Sequence, residues 1–208
     1  MEKKRVVSKL KQVRGINMRE RILETAEKYF CEKGYLSATS RKLAEAAGIS
    51  VGSFYFYFKN KEELLLEVYR MQTGRFSGAV ADAYENIALY KADKKKWLRG
   101  FIESLLEAYG NTGKLRAELK AVTWKNSYIA EQKKVIKQET ISVITQQLHA
   151  SPVVEDIHVC HPEVALLFVI DIMDAAYERI AAGISPDEQT AVVDECTDIL
   201  YRYLFSKM

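Results

Sequence analysis

The chain has 208 residues, 48% of them hydrophobic and 28% charged, with only three prolines. That length supports one large domain or two smaller ones with a sizeable core; scarce proline, abundant Ala, Leu, Glu and Lys, and no sustained period-two alternation predict an all-α protein and exclude a sheet fold. The formal charge of +3 is uneven: residues 1–70 carry 15 Lys/Arg against 9 Asp/Glu (+6) and the remainder 16 against 19 (−3), so the N-terminal part is expected to meet a polyanion.

Residues 1–17 hold Lys3, Lys4, Arg5, Lys9, Lys11 and Arg14 against one acid, Glu2. They read as a basic N-terminal arm. A helix is expected from Met18 to Lys33, with Ile22, Leu23, Ala26, Tyr29 and Phe30 on one apolar face. Gly34 ends it, since glycine enters the left-handed C-cap conformation without strain. Thr39 then has the side chain to cap SRKLAEAA, and Gly48 breaks that helix. Ser50 caps VGSFYFYF. Asn60 and Glu63 form a capping pair for the next helix.

Beyond Lys61 helices are expected at roughly 61–74, 77–90, 94–110, 113–129, 131–149, 162–182 and 187–206. The connections are ADKK, GNTG, SPVVEDIHVCH and AGISP. The total is about nine to ten helices, a three-helix head followed by a larger helical bundle.

The spacing Ala44–Gly48–Phe54 fits a helix-turn-helix. Ala44 allows close helix approach, Gly48 supplies the sharp turn, and Leu43, Ala47, Ile49, Phe54 and Phe58 pack inward. That leaves Ser50, Val51, Gly52, Ser53, Tyr55, Phe56 and Tyr57 for solvent or a groove. Lys61 follows them.

The segment GYLSATSRKLAEAAGISVGSFYFYFKNKEELL closely resembles the DNA-binding domain of TetR-type transcriptional regulators. The match runs from about Arg19 to Val68 and includes Gly34-Tyr35, Thr39-Ser40, Leu43-Ala44, Ala46-Ala47-Gly48-Ile49-Ser50, Gly52, Tyr55, Phe58 and Lys61-Glu62. The resemblance implies that helix 51–57 enters the major groove. Tyr55 would touch backbone and base edges and Lys61 a phosphate, with Thr39 and Ser40 offering hydroxyls. Tyr57 stands where the family often has His, and Val51 where it often has Lys. With no Arg, Lys, Asn or Gln in residues 50–57, bidentate base readout from this helix is not expected. Val51 and Phe56 are left to apolar contact with thymine methyls, and recognition leans on phosphates and DNA shape. The basic arm then has two readings: a solvated tail, or backbone and minor-groove contact through Lys9, Lys11, Arg14 or Arg19.

The resemblance divides the chain into the arm (1–17), a helix-turn-helix domain (18–63) and a ligand-binding and dimerisation domain (64–208). It implies a homodimer through the last two helices, a double-stranded DNA operator of palindromic form, and a small-molecule effector that releases the repressor. Pocket candidates are Trp97, Phe101, Tyr109, Trp124, Tyr128, Phe168 and Tyr177, with Trp124 and Tyr128 one turn apart. Asp171 interrupts an apolar run, followed by Asp174 and Glu178 on the same face. A buried carboxylate there needs a cationic ligand, a protein cation or water. The other reading keeps the fold and the DNA but places control with protein partners.

His149, His158, Cys160 and His161 match no strong zinc spacing, so neither a metal nor a cofactor is expected. No phosphate-binding glycine loop, nucleophile elbow or dinucleotide fingerprint is present, which excludes the common enzyme classes. Cys31, Cys160 and Cys196 are too dispersed for a disulfide framework. The N-terminus lacks a signal-type apolar run, and Val164–Ile170 is too short to span a bilayer. A cytoplasmic protein with no membrane partner is expected.

Overall fold

The computed structural model describes residues 2–85, 87–110 and 112–206, with side chains from Asn17 onward except that of Glu85. Among the described residues the fold is all-helical. The order is α1 (Glu2–Lys33), α2 (Ser40–Ala46), α3 (Val51–Tyr57), α4 (Lys61–Glu85), α5 (Ile87–Ala92), α6 (Lys94–Tyr109), α7 (Gly113–Lys125), α8 (Ser127–Ala150), a 3-10 turn at Pro152–Asp156, α9 (Pro162–Ala181) and α10 (Pro186–Phe205). No helix among the described residues is long and apolar enough to cross a membrane.

Most starts are capped as their sequences dictate. Thr39 accepts the Lys42 N–H, Ser50 that of Ser53 and Asp93 that of Lys96. At α10, Ser185 and Glu188 form a full capping box ahead of Pro186. Gly34 (φ 88°), which ends α1, and Gly48 (φ 64°), in the α2–α3 turn, hold backbone that side chains resist.

Four expectations are corrected. The α1 backbone is helical from Glu2, not Met18, so the basic segment continues α1. It contains no proline, and one glycine does not stop a helix. The side chains of Lys9, Lys11 and Arg14 lie outside the described residues. The break expected after residue 74 is absent: α4 runs through Gly74 and Gly78 to Glu85, and residues 87–90 belong to α5. The joint expected between 129 and 131 lies earlier, at Asn126, whose Oδ1 caps α8 by accepting the Ile129 N–H at 3.1 Å. The connection SPVVEDIHVCH contains the 3-10 turn.

The chain divides into two compact units: residues up to Arg70 together with Lys114–Lys133, and Met71–Gly113 together with Lys134–Met208. The expected boundary at 63/64 gives one continuous C-terminal domain, whereas this division groups Lys114–Lys133 with the head. The first unit is organised around Ile22, Ala26, Phe30, Leu43, Ala44, Phe54, Phe58, Leu64 and Leu65, all essentially solvent-free. The core of the second is built on Trp97, Leu98, Ile102, Leu105, Ile144, Met173 and Leu200. Its α6 and α10 are tied by Lys95–Asp198 (2.5 Å) and by Arg99–Asp194.

Candidate nucleic-acid interface

Helix α3 presents two sorts of aromatic. Phe54 and Phe58 are fully buried, with ring centroids 6.1 Å apart, and fix the helix on α1 and α2. Tyr55 is 55% exposed and Phe56 82% exposed, while Tyr57 is half-buried with its ring 5.1 Å from that of Phe56. Val51, Gly52 and Ser53 are exposed on the same short helix. Phe56 is the sharper anomaly: a phenyl ring left in water makes physical sense on a surface that another molecule covers.

The polar candidates already have partners within the head. Thr39 caps α2 and Ser50 caps α3, with Ser50 Oγ also 2.9 Å from Ser53 Oγ. Each hydroxyl keeps further hydrogen-bonding capacity, and Ser40 is half-buried at the first position of α2. The Lys61 ammonium donates to the carbonyls of Ala38 (3.1 Å) and Tyr35 (3.4 Å) and stands 4.3 Å from the Tyr35 ring centroid. It therefore closes the α1–α2 turn and keeps one donor for another acceptor. Tyr35 is buried beneath it and donates its hydroxyl to Glu62 at 3.2 Å; burial, with the Glu62 carboxylate, pushes its pKa well above the ordinary phenol range.

Arg19, weighed as a groove contact, is engaged inside the head. Its guanidinium donates to Glu67 at 2.5 Å and lies 5.3 Å from the Phe58 ring centroid. Arg21 donates to the carbonyl of Ala47, which carries α1 onto the end of α2. The exposed cations nearest α3 in sequence are Arg41, Lys42 and Lys59. Lys42 donates to the Ser37 carbonyl at 2.9 Å. Arg41 and Lys59 were missed by sequence reasoning, although a cation beside each capped helix start is a readable signal for phosphate contact.

The effector candidates separate. Trp97 is buried and donates its indole N–H to the Ala83 carbonyl at 2.9 Å, and half-buried Phe101 stacks on it at 5.6 Å. Both line a cleft of about 500 Å³ between α4, α5 and α6. Tyr109 and Tyr177 stack at 4.8 Å but serve the fold. The Tyr109 hydroxyl donates to Asp174, and that of Tyr177 donates to the Gly110 carbonyl and accepts from the Thr112 N–H. Trp124 is 87% exposed and Tyr128 58% exposed in the first unit, and neither lines the cleft. The adjacent α7–α8 break at Asn126 interrupts the single helical face on which the sequence places them. Phe168 is 54% exposed on α9. Asp171 is exposed 3.9 Å from Lys137, so a protein cation faces it and no cavity encloses it. Among the described residues no His, Cys, Asp and Glu group could hold a metal ion.

Comparison with known proteins agrees with this geometry. The family model of bacterial regulatory proteins, tetR family, matches residues 22–68, which is the head. The HTH-type transcriptional repressor AcnR of Corynebacterium diphtheriae is 26% identical over 180 residues, covering 85% of this chain and 87% of the relative. An HTH-type transcriptional repressor of Mycobacterium tuberculosis is 28% identical over 182 residues, covering 85% and 89%. The fatty acid degradation regulator FadR of Bacillus halodurans shares the fold, with a TM-score of 0.69 at 18% identity over 88% of this chain and 94% of that one. All three are described as transcriptional repressors or regulators. A helix-turn-helix head matched in register over residues 22–68 shows that this chain carries the DNA-binding domain of the bacterial regulatory proteins of the tetR family, and the chain is similar along most of its length to HTH-type transcriptional repressors.

Proposed function

We propose that the chain is a dimeric repressor that reads a palindromic operator through α3 and lets go when a small molecule binds its second unit. The observation that carries the DNA reading is the division of α3. Phe54 and Phe58 anchor it, while Val51, Tyr55 and Phe56 stand in solvent. Tyr55, with Tyr57 at its flank, contacts backbone and base edges; Val51 and Phe56 meet thymine methyls; Thr39, Ser40, Ser50, Ser53 and the remaining donor of Lys61 take phosphates, and Gly52 allows close approach. With no formal charge on α3, selectivity rests on apolar contacts and duplex shape.

Dimerisation is supported by apolar residues left in water on the last two helices: Val164, Leu167 and Phe168 on α9, Ile199 and Tyr203 on α10. A second copy covers them and supplies the twofold axis that a palindrome needs. Release requires the effector to bind the non-DNA conformation more tightly.

The test combines selection of duplexes from a random pool with sedimentation of the full chain. The expected result is an inverted repeat bound by a dimer, and Phe168→Glu giving a monomer with at least roughly tenfold weaker operator binding. Selection of no sequence, or undiminished operator binding by a monomer, would overturn the reading.

A further inference from the structure

Helix α7 has two faces with opposite fates. Leu115 and Leu119 are buried in the first unit. Glu118 accepts the Leu36 N–H and Lys114 donates to the Glu32 carbonyl, which fixes the helix on the end of α1. The other face carries Ala117, Ala121 and Trp124, all exposed, at the i, i+4, i+7 spacing of one helical stripe. Tyr128, 58% exposed, follows beyond the joint at Asn126.

Two properties of this outer face point to an occupant. The first is the indole. Trp124 is 87% exposed, and the alanines that share its stripe are too small to shield it. Tryptophan is enriched among the residues that dominate protein–protein binding, because a rigid ring gains a large covered area at little entropic cost. The second is charge. Lys114 and Lys125 flank the stripe on one side and Lys120 on the other, all exposed. The bond of Lys114 is to a neutral carbonyl and leaves its charge in place, and Lys125 has no partner among the described residues. The 13 residues of α7 hold one acid, Glu118, and it is turned to Leu36.

We infer that the outer face of α7 docks an amphipathic helix of a partner protein, its apolar stripe on Trp124 and its acidic flanks against Lys114, Lys120 and Lys125. An apolar seam edged by cations is complemented by an apolar seam edged by carboxylates, the arrangement that selects partners between paired helices. A DNA duplex presents phosphates and would engage the lysines while leaving the indole uncovered. A bilayer needs a broad apolar face, and this one offers a single large side chain on α7. The contact is confined to one short helix, which makes it small and readily reversible. It holds whether or not a small molecule releases the chain from DNA.

The experiment uses the full chain, whose two tryptophans give two indole N–H signals in 15N NMR. Trp124→Phe identifies the exposed one, and the signal of buried Trp97 reports that each variant is folded. The first probe is a helical peptide with leucine at every third or fourth position and glutamate on its flanks. The second is the same peptide with lysine for glutamate. The glutamate peptide is expected to shift the Trp124 signal and to bind at least roughly tenfold tighter than the lysine peptide. Lys120→Glu combined with Lys125→Glu should reverse that preference with the Trp97 signal unmoved. No shift of Trp124 with the glutamate peptide, or an equal response to both peptides, would overturn the proposal. So would a Trp124 shift produced by phosphatidylglycerol vesicles or by a duplex lacking the operator but not by the peptide, which would give the face to lipid or to DNA. Sedimentation covers the remaining occupant: a dimer dissociated by Trp124→Ala would show that a second copy holds this face.

Discussion

A lysine whose ammonium already holds two carbonyls contributes differently from one that waits free in solvent. Lys61 closes the α1–α2 turn through Ala38 and Tyr35 and has one donor left. Lys61→Ala should therefore lower the melting temperature and weaken binding to all DNA sequences about equally, reducing the salt slope by about one. Melting that falls with an unchanged slope would confine Lys61 to a structural role. Neighbouring aromatics divide the same way. Phe54→Ala empties a fully buried site and should cost about 3–5 kcal/mol in urea unfolding. Tyr55→Ala removes a half-exposed ring and should change stability by less than about 0.5 kcal/mol while weakening operator binding. Equal loss of stability in both variants would refute the division of α3 into an anchored and a reading face. Phe54 and Phe58 were legible in the sequence because their spacing fixes their face locally. The docking of Arg19 on Glu67 and of Lys61 on Ala38 was not, because it joins residues 48 and 23 positions apart.

Among the elements, α7 holds the exit of α1. Glu118 accepts the Leu36 N–H at 3.2 Å, and Lys114 donates to the Glu32 carbonyl at 3.2 Å. These bonds satisfy groups at a helix end that would otherwise depend on water. Glu118→Ala should cost about 1 kcal/mol and speed amide exchange at Leu36, measured by hydrogen–deuterium exchange of the full chain. Unchanged exchange there would show that solvent substitutes for the carboxylate. The helix count was readable from periodicity, but the joints were not. Gly74 and Gly78 read as a break and are continuous helix, whereas the break at Asn126 depends on one side chain turning to cap α8. A single glycine or asparagine has both outcomes open to it, and surrounding packing decides.

At the scale of the whole chain, the second unit carries exposed ion pairs that make a small part of its stability depend on pH. Lys94 first, then the Tyr90 hydroxyl, hold Asp156 below the usual carboxylate range, and Lys95 does the same for Asp198. A depressed carboxyl contributes stability above its unfolded pKa and loses it as pH falls through the folded value. Melting temperature should thus fall in acid below about pH 4, and Asp156→Asn with Asp198→Asn should flatten that limb of the profile. An identical acid profile in the variant would show that other groups set it. The all-α fold and the reading head were legible because helical periodicity and a dense local motif carry them. The cleft was only half legible: Trp97 and Phe101 stood out as aromatics, but Asp82 and Glu107 come together only when α4 and α6 pack. The end of α1 constrains more than its own stability. A Cβ at Gly34 would lie 2.3 Å from the Glu118 carboxylate, on a backbone already at φ 88°. The Glu118 tip is flexible and can swing aside, but only by leaving the Leu36 N–H, so a side chain at 34 carries the loss of that bond in addition to its own backbone strain.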